Sequence, residues 1–542
     1  MSVEKLIIDN MNIWTSSLKT KSVSGRGNGK KLELYGINKL RKLILELAVR
    51  GKLISQDPND EPASVLLECI AEEKSRLVKE KQIKKQKKLP NINEEMPFSI
   101  PKGWSPSRLG ELGLWATGNG FPKKNQGNEG LDVLFCKVSD MNLVGNEKYI
   151  DSTFNTVSID TANDLKLNLH PQGTVIFPKI GGAIATNKRR IITKPTAIDN
   201  NCLGITPLSD FSVEYLYLVL SSIDLTKYQA GTSVPALSQG TLELLITIVP
   251  PKLEQHRIVS KVNELMTLCD ELEQQTTSSI DAHETLVEVL LTALTNSTNA
   301  DEFALNWASI GEHFDTLFIT ERCIDQLQKT ILQLAVMGKL VNFGSFEIKT
   351  VKELLCFGPR NGFSPKEAPT PTDYKVLKLG ATSYGYLNIG QSKFVDIEVE
   401  LESHLWLKKD DILVQRGNSA TFVGSNVIVD KDYSGYIYPD LMMKLRTNDL
   451  VAPEYLSLVL SAPNSRESMW SQMTGTSGTM PKISKKVVEG LSIPVPANKE
   501  VQLEIVKEVN RMFLIIDNLK LKINQCQMTQ IDLTDAIVAK LL

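Results

Sequence analysis

The sequence predicts an α+β protein with two similar α/β domains, separated by long antiparallel coiled-coil helices and related by an internal pseudo-two-fold, cyclic symmetry. Three observations predict this fold: one helical motif is written twice, two heptad seams occupy equivalent places, and two segments of short β-rich runs lie beside them. The chain has 542 residues, which is too long for a single hydrophobic core.

The helical motif is the clearest repeat. Residues 40–54 read LRKLILELAVRGKLI and residues 327–341 read LQKTILQLAVMGKLV, so ten of 15 positions are identical at an offset of 287. Further matches follow in the same order: Asn119-Gly120-Phe121 with Asn361-Gly362-Phe363, EYLYLVLSS from Glu214 with EYLSLVLS from Glu454, and GTS at 231–233 with GTS at 475–477. An internal repeat of this extent predicts two copies of one structural unit.

Two segments carry apolar residues in alternating steps of four and three, which is the spacing of a heptad seam. The seams are Ile258, Val262, Leu265, Cys269 and Leu272, and then Ile505, Val509, Met512, Ile516, Leu519, Ile523 and Cys526. They superimpose at an offset of 247. Each suits an amphipathic core helix, but their equivalent places in a duplicated chain favour packing of the two seams on each other.

The pattern of the repeat is cyclic. The segment 280–326 has no counterpart inside the other copy, and residues 527–542 followed by 1–39 would supply it. We therefore expect the two ends of the chain to lie near one another. A chain with this symmetry suits a target with two half-sites.

Composition shifts divide the chain into five predicted regions. The two mixed domains alternate β-rich runs with Gly, Pro and Asn turns, and each contains one helical EYLxLVLS stretch. The divisions are an N-terminal helical region at 1–97, a first mixed domain at 98–251, a central helical region at 252–344, a second mixed domain at 345–497 and a C-terminal helix at 498–542.

Overall composition narrows the class of protein. Hydrophobic residues make up 42% and charged residues 23%, as in ordinary globular proteins, and no apolar run is long enough to predict a membrane-spanning helix. The seven cysteines are scattered, without a C-x-x-C pair, which fits reduced thiols in a cytoplasm. The formal net charge of −2 is unlike the basic excess of most nucleic-acid-binding domains, so any DNA contact must rest on local patches.

No motif predicts catalysis. Residues 25–31 read GRGNGKK but lack the spacing of a phosphate-binding loop, and the chain contains neither N-P-P-Y nor D-P-P-Y, which would hold a flipped adenine. The five histidines are not paired at metal-ligand spacing. Asp440 with Lys444 lacks the second acidic residue of a nuclease cluster. We therefore expect no catalytic residue, no metal and no cofactor in this chain.

Loops of the mixed domains contain the types of side chain that can contact DNA. Arg and Lys suit guanine and Asn and Gln suit adenine, while phosphate contacts set position. The predicted DNA-contact residues are Lys123, Lys124, Asn125, Lys179, Asn187, Lys188, Arg189, Arg190, Arg360, Lys366, Gln415, Arg416, Asn418 and Lys444. For each of them the alternative is ordinary solvated charge.

Two further features leave alternatives open. The basic run from Lys74 to Lys88 is either a solvated helix face or a contact with DNA or a partner protein. The GTS loops either donate backbone N–H groups to phosphate or are structural turns.

With these features the chain resembles the specificity (S) subunits of type I restriction–modification systems. The resemblance covers nearly the whole length and rests most on Ile44 to Leu53 with Ile331 to Leu340, on GTSVPALS and GTSGTMPKIS, and on IVPPKLEQHRI at Ile248 to Ile258. In the second copy the last run is degraded, because an extra residue separates Pro496 from Gln502 and Ile505. The extension at 1–90 resembles the subgroup that carries extra helices before its first recognition domain.

The resemblance implies a function for each part. Two target-recognition domains would each read one half of an asymmetric, bipartite site in duplex DNA. Two modification (methyltransferase) subunits would dock on the helices and methylate adenine, and restriction (motor and nuclease) subunits would cut unmodified DNA. The cofactor sites would then lie in these partners, and this chain would be a non-catalytic, cytoplasmic subunit without membrane association. The alternatives are a duplicated coiled-coil adaptor that binds protein rather than DNA, and an enzyme with unrecognised motifs.

Overall fold

The computed structural model describes residues 3–22, 30–84, 88–92, 99–231, 233–475 and 480–542. The chain forms two compact units. Unit 1 contains Met1–Lys19, Leu34–Thr276 and Gln530–Leu542, and unit 2 contains Thr20–Glu33 and Thr277–Thr529. The five-region division stays a prediction, because both units combine several regions. Most of the GRGNGKK segment lies outside the described residues.

The N-terminal region is mainly helical. Its elements are α1 (Val3–Asp9), α2 (Met11–Ser16), β1 (Lys19–Ser22), β2 (Lys30–Glu33), α3 (Tyr35–Val49) and α4 (Ala63–Lys79). Helix α3 buries Leu40, Leu43 and Leu47 on one face, as its three-and-four spacing predicts. It ends where Gly51 adopts a φ of +66° and where the Lys52 N–H donates to Leu47 O at 2.9 Å, which is the left-handed helix cap that favours glycine.

Most strands of the first mixed domain lie in two sheets. Its elements are β3 (Ser105–Arg108), β4 (Gly113–Thr117), β5 (Val133–Cys136), β6 (Tyr149–Ile150), β7 (Thr156–Val157), α5 (Ile159–Asp164), β8 (Leu169–His170), β9 (Val175–Pro178), β10 (Arg190–Ile192), β11 (Thr196–Ile198), β12 (Cys202–Pro207), α6 (Val213–Ser222), β13 (Gln229–Ala230), β14 (Ala236–Leu237), α7 (Gln239–Glu243) and β15 (Ile246–Val249). One sheet has the order β4-β12-β9-β10-β6 and the other β7-β5-β11-β8. Strand β5 pairs in parallel with β11.

The helices that follow are α8 (Lys252–Asn296), α9 (Ala300–Glu312), α10 (Phe314–Leu317) and α11 (Glu321–Val336). Helix α11 carries the second copy of the repeated motif, and Gly338 after it has a φ of +70°. It therefore ends in the same way as α3.

The second mixed domain repeats the strand order of the first, except that none of its described strands corresponds to β6. Its elements, with the C-terminal helix, are β16 (Phe346–Thr350), β17 (Leu355–Asn361), β18 (Tyr374–Leu377), β19 (Ser392–Val395), β20 (Trp406–Leu407), β21 (Ile412–Gln415), β22 (Asn426–Ile428), β23 (Tyr433–Ile437), β24 (Met442–Thr447), α12 (Pro453–Ser461), α13 (Pro463–Ser471), α14 (Lys485–Glu489), β25 (Ser492–Pro496) and α15 (Lys499–Leu541). Its sheets run β17-β24-β21-β22 and β19-β18-β23-β20, and β18 pairs in parallel with β23. The repeat in sequence is thus a repeat in fold.

The first copy contains an insertion. Residues 55–104 separate the repeated motif from β3, whereas residues 342–345 separate it from β16 in the second copy. The inserted helix α4 buries Ala63, Leu66 and Ile70 in the core cluster of unit 1. The insertion is therefore part of unit 1 and not an appendage.

The two ends of the chain pack together within unit 1, as predicted. The Ser17 and Thr534 hydroxyls are 2.6 Å apart, and Tyr35 donates its hydroxyl hydrogen bond to Asp535 at 2.9 Å. Residues after 530 thus complete the unit in which the N-terminal helices lie.

The prediction that the two heptad seams pack on each other is wrong in that form. The seam of α8, from Ile258 to Leu272, lies in the core cluster of unit 1 with Leu541 of α15. The seam of α15, with Ile505 and Ile516, lies in the cluster of unit 2. The reason is that α8 runs from unit 1 into unit 2 and α15 runs from unit 2 into unit 1, so each seam shares a core with the far end of the other helix.

In the part of the chain that the structure describes, no helix has the length and apolar character of a membrane span.

Candidate nucleic-acid interface

Loops of the first mixed domain meet in one group, named here loop cluster 1: residues 119–126, 137–146, 179–188 and 233–237. Three contacts join them: Lys137 Nζ donates to Gln126 Oε1 at 2.7 Å, Lys188 Nζ contacts Asn142 Oδ1, and Gly181 N donates to Pro235 O at 2.7 Å. Most of the predicted DNA-contact residues of this domain lie in these loops. The first GTS loop adjoins them, although Thr232 is outside the described residues.

Lys123 and Lys124 are exposed on a short 3-10 turn of loop cluster 1. Contacts of Phe121 fix the chain just before this turn. Its ring stacks on Phe135 with ring centroids 3.8 Å apart, and Lys137 Nζ lies 5.4 Å from the Phe121 centroid. Asn125 is half-buried, and its buried Oδ1 accepts no hydrogen bond from a described residue. The turn therefore presents two ammonium groups, which suit phosphate.

Arg189 and Arg190 are structural, which corrects the prediction that they contact DNA. Arg189 is 1% exposed and donates to Leu220 O, Lys188 O, Asn187 Oδ1 and Ile223 O at 2.9 to 3.2 Å. Arg190 is also buried and donates to Arg189 O and Met141 O. Burial lowers the pKa of Arg189 to about 10. Both guanidinium groups therefore direct hydrogen bonds to acceptors inside their own domain.

The other residues of this group lie nearer the surface. Asn187 is exposed, with a φ of +50°, but its side chain accepts from Arg189 and donates to Ser221 O at 3.3 Å. Lys179 and Lys188 are half-buried. They remain candidates for DNA contact.

The second mixed domain brings equivalent loops together. Loop cluster 2 comprises residues 361–366, 378–391, 415–422, 439–441 and 480–483. Its contacts include Arg416 N to Leu441 O at 2.8 Å, Ile483 N to Arg416 O at 2.9 Å, Phe363 N to Tyr438 O at 3.0 Å, and the Ser364 hydroxyl to Asp440 Oδ1. The second GTS loop adjoins them, but 476–479 lie outside the described residues.

Gln415 and Lys444 are buried, which corrects the prediction for them too. Gln415 Nε2 donates to Leu379 O, the Thr382 hydroxyl and the Ser383 hydroxyl at 2.9 to 3.0 Å. Lys444 Nζ lies 3.0 Å from Asp411 Oδ2 and donates to Trp406 O at 2.8 Å. Burial lowers the pKa of Lys444. Both side chains hold the domain together and do not reach its surface.

Arg416 and Asn418 are half-buried and partly engaged. Arg416 Nε donates to Ile483 O at 3.4 Å, and Asn418 Nδ2 donates to Gln415 Oε1 at 2.7 Å. Arg360 and Lys366 are exposed. They are the predicted residues of this domain best placed to meet a ligand.

Two residues beside Arg360 were missed from the sequence. Burial lowers the pKa of His404, and the positive charges of Arg360, Lys444 and exposed Lys485 lower it further, so the neutral form of this imidazole is favoured near these cations. Lys485 is the first residue of α14, and the equivalent helix of the first copy, α7, begins with Gln239 instead. Comparison of the two copies in sequence would have shown this additional lysine.

The basic run of the insertion is divided between two roles. Lys74 is half-buried and its Nζ donates to Gly110 O at 2.9 Å, and burial lowers its pKa to about 8. Lys79, Lys81 and Lys84 face solvent, and 85–87 lie outside the described residues. No group of three or more His, Cys, Asp or Glu side chains among the described residues is placed to hold a metal ion.

The comparisons with known proteins agree on one family. The family described as type I restriction modification DNA specificity domain matches residues 101–282 and 344–527, and each match contains one mixed domain and the start of the long helix after it. The specificity subunit of the type I restriction enzyme EcoEI of Escherichia coli is 34% identical over 602 aligned residues, which cover 99% of both chains. That of EcoAI, also from Escherichia coli, is 43% identical over 63% of this chain and 58% of its own length.

A solved structure has a similar fold. It comes from work on complex assembly and conformational transition of the type I R-M system, and it covers 82% of this chain and 99% of its own length with a TM-score of 0.51 at 18% identity. At that identity the likeness concerns the fold. The matched domains and the relative aligned over its full length show that this chain belongs to the family of type I restriction enzyme specificity subunits, the non-catalytic recognition components of type I restriction–modification systems.

Proposed function

We propose that the two mixed domains each read one half of an asymmetric, bipartite sequence in duplex DNA, through loop clusters 1 and 2. The observation that carries the proposal is that the domains share one strand order but present different side chains in their loops. Two half-sites of different sequence require such a pair of readers. The sheets then act as rigid supports for variable loops.

Exposed cations in or beside the two clusters support contact with DNA. Lys123 and Lys124 in one domain, and Arg360 and Lys366 in the other, are exposed and suit phosphate or guanine. The chain as a whole has a formal net charge of −2, so partner subunits supply the rest of the phosphate neutralisation. The seven cysteines are unpaired, which supports a place in the cytoplasm.

In this proposal two modification (methyltransferase) subunits dock on the helical regions and methylate adenine, and restriction (motor and nuclease) subunits cut unmodified DNA. An apolar stripe on α15 supports one docking surface. The stripe consists of four exposed apolar residues on one side of the helix: Leu503, Leu514, Leu521 and Met528. The equivalent residues of α8 are polar: His256, Thr267, Gln274 and Asp281. An exposed apolar stripe suits a protein contact, and we assign it to a modification subunit.

Methylation mapping tests the proposal. Adenine methylation is read across a genome by single-molecule sequencing, with the gene present, deleted, and carrying Lys123→Ala with Lys124→Ala. We expect one bipartite motif that disappears on deletion and is under-methylated in the variant. If the modification subunits are expressed and deletion leaves every motif unchanged, the proposal is wrong.

The alternative interpretation, a duplicated adaptor that binds protein rather than DNA, has no support from the comparisons. It also makes a different prediction, since an adaptor would give the assembled complex no salt-sensitive affinity for DNA.

A further inference from the structure

Loop cluster 2 presents two tyrosines at the tip of one loop. Tyr384 is 70% exposed and Tyr386 is 61% exposed, and Gly385 between them has a φ of +82°. Single exposed apolar residues are common on protein surfaces. Two aromatic rings on one projecting tip, beside a group of loops that we propose to face DNA, call for a more specific explanation.

The base of this loop is fixed. Gln415, which is buried, donates to Leu379 O and the hydroxyls of Thr382 and Ser383, and Asn388 N closes the loop by donating to Ala381 O at 2.9 Å. The Tyr384 ring also meets Phe422 edge-on, with centroids 6.1 Å apart. A tip on a fixed base loses little conformational freedom when it binds.

The first mixed domain also has a loop with an exposed apolar tip and a fixed base, built from different residues. Its loop follows β5, as the tyrosine loop follows β18, and Val144 at its tip is 95% exposed. The base is held by Arg190, which donates to Met141 O at 2.6 Å, and by buried Asn146, which donates to Asp140 O and Ser152 O, each at 2.8 Å. An apolar tip on a buried polar base thus occurs at equivalent places in both copies.

We propose that these two tips are wedges, which insert apolar side chains against or between base pairs when each domain binds its half-site. Tyr384 and Tyr386 stack on bases in one half-site, and Val144 presses into a base step of the other. This inference rests on the proposed function. Apolar wedges unstack a base step and kink the duplex, which brings more of the protein surface into contact with it, and aromatic stacking on a base tolerates any sequence.

The surroundings of both tips favour nucleic acid as the occupant. Lys378 is exposed at the start of the tyrosine loop, and Arg416 lies in the neighbouring loop that Gln415 joins to it. Beside the valine loop, Lys188 contacts Asn142. Cations that flank an apolar tip match a duplex, in which phosphates flank the base stack.

The test uses the assembled complex and the bipartite site found by methylation mapping. The adenine analogue 2-aminopurine, whose fluorescence rises when it is unstacked, is placed in turn across and beside the half-site read by the second domain. The variants are Tyr384→Ala with Tyr386→Ala, Tyr384→Phe with Tyr386→Phe, and the control Leu401→Ala, which removes an exposed apolar side chain of the same domain outside loop cluster 2.

We expect one position to brighten with the native complex, the phenylalanine variant and the control, and not with the alanine variant. The alanine variant should also bind at least tenfold more weakly, because it loses the stacking of two rings on bases. Val144→Ser should have its effect at the other half-site only.

Three outcomes overturn the inference. If the native complex binds its site specifically but no position brightens and the alanine variant binds equally well, the wedge is wrong while the proposed function stands. If the alanine variant loses its modification subunit and shows no fluorescence difference, the tip is a protein contact. If the native complex shows no sequence-specific binding, both the wedge and the proposed function fail.

Discussion

Lys52 and Lys339 make equivalent hydrogen bonds in the two copies of the repeated motif. Lys52 Nζ donates to Leu542 O at 2.8 Å, just after α15. Lys339 Nζ donates to Thr295 O in the last turn of α8 and to Ser297 O just after it, the latter at 2.8 Å. Each lysine therefore binds carbonyls at the C-terminal end of a long helix, where a positive charge is favourable. The lysine of the GKL sequence thus attaches each copy of the motif to the end of a long helix, and we call this contact the helix clasp.

Replacing the clasp tests this role. Lys339→Met should lower the free energy of unfolding by about 1–3 kcal/mol, because it removes hydrogen bonds from a charged donor and a favourable charge at the helix end. Denaturant unfolding measures the change. Lys329→Met, at an exposed lysine of α11, is the matched control, and equal stability of the two variants would rule out the clasp.

Arg189 should affect folding before it affects recognition. Arg189→Ala leaves the carbonyls of Leu220 and Ile223 without this donor in the domain interior, so we expect a loss of about 2–4 kcal/mol, seen as a lower melting temperature and faster proteolysis of the first mixed domain. Normal stability with weaker binding at one half-site would instead restore Arg189 as a base-reading residue.

Lys123 and Lys124 should act through charge. The variant Lys123→Ala with Lys124→Ala should weaken binding of the complex to all DNA sequences, and the slope of log affinity against log salt should become less steep by about 0.9 for each phosphate that is no longer neutralised. Lys194→Ala, at an exposed lysine of the same domain outside loop cluster 1, is the control. A weakening confined to one half-site sequence would mean that these lysines read bases.

Lys74 should make the free energy of unfolding depend on pH in the alkaline range. Its pKa is about 8 in the folded chain against 10.5 for an ordinary lysine, because burial disfavours the charge. Between these pH values the unfolded chain binds more protons than the folded one, so this group makes stability rise with pH. Unfolding measured from pH 7.5 to pH 10 should show a smaller rise in Lys74→Met. Identical pH profiles would exclude a buried ammonium group at this position.

The stripe on α15 should bind a partner without stabilising the fold. Leu514→Asn with Leu521→Asn removes two exposed apolar side chains, so the free energy of unfolding should change by less than about 0.5 kcal/mol each, while affinity for the modification subunit should fall at least tenfold. Denaturant unfolding measures the first quantity and titration calorimetry the second. Thr267→Ala with Gln274→Ala on α8 is the control, and a variant that binds normally would exclude the stripe as the docking surface.

The sequence predicted the parts of the fold that depend on local periodicity. Leu40, Leu43 and Leu47 reveal a helix face by spacing alone, and all three are buried. It failed where polar side chains turn inward, because nothing near Arg189 in sequence shows that Leu220 O and Ile223 O will meet it. It also missed His404, because nothing near this residue in sequence shows that the charges of Arg360 and Lys485 will lower its pKa.

The division of the long helices between the two units has a consequence for biosynthesis. Residues 530–542, which complete the core around α3, are translated only after the whole of unit 2. At a synthesis rate of about 5–20 residues per second, the apolar face of α3 therefore lacks these contacts for many seconds while the rest of the chain is made. A nascent chain is therefore most open to proteases and to aggregation in its earliest part, and any messenger that stops short of these codons yields a protein whose first unit stays unfinished.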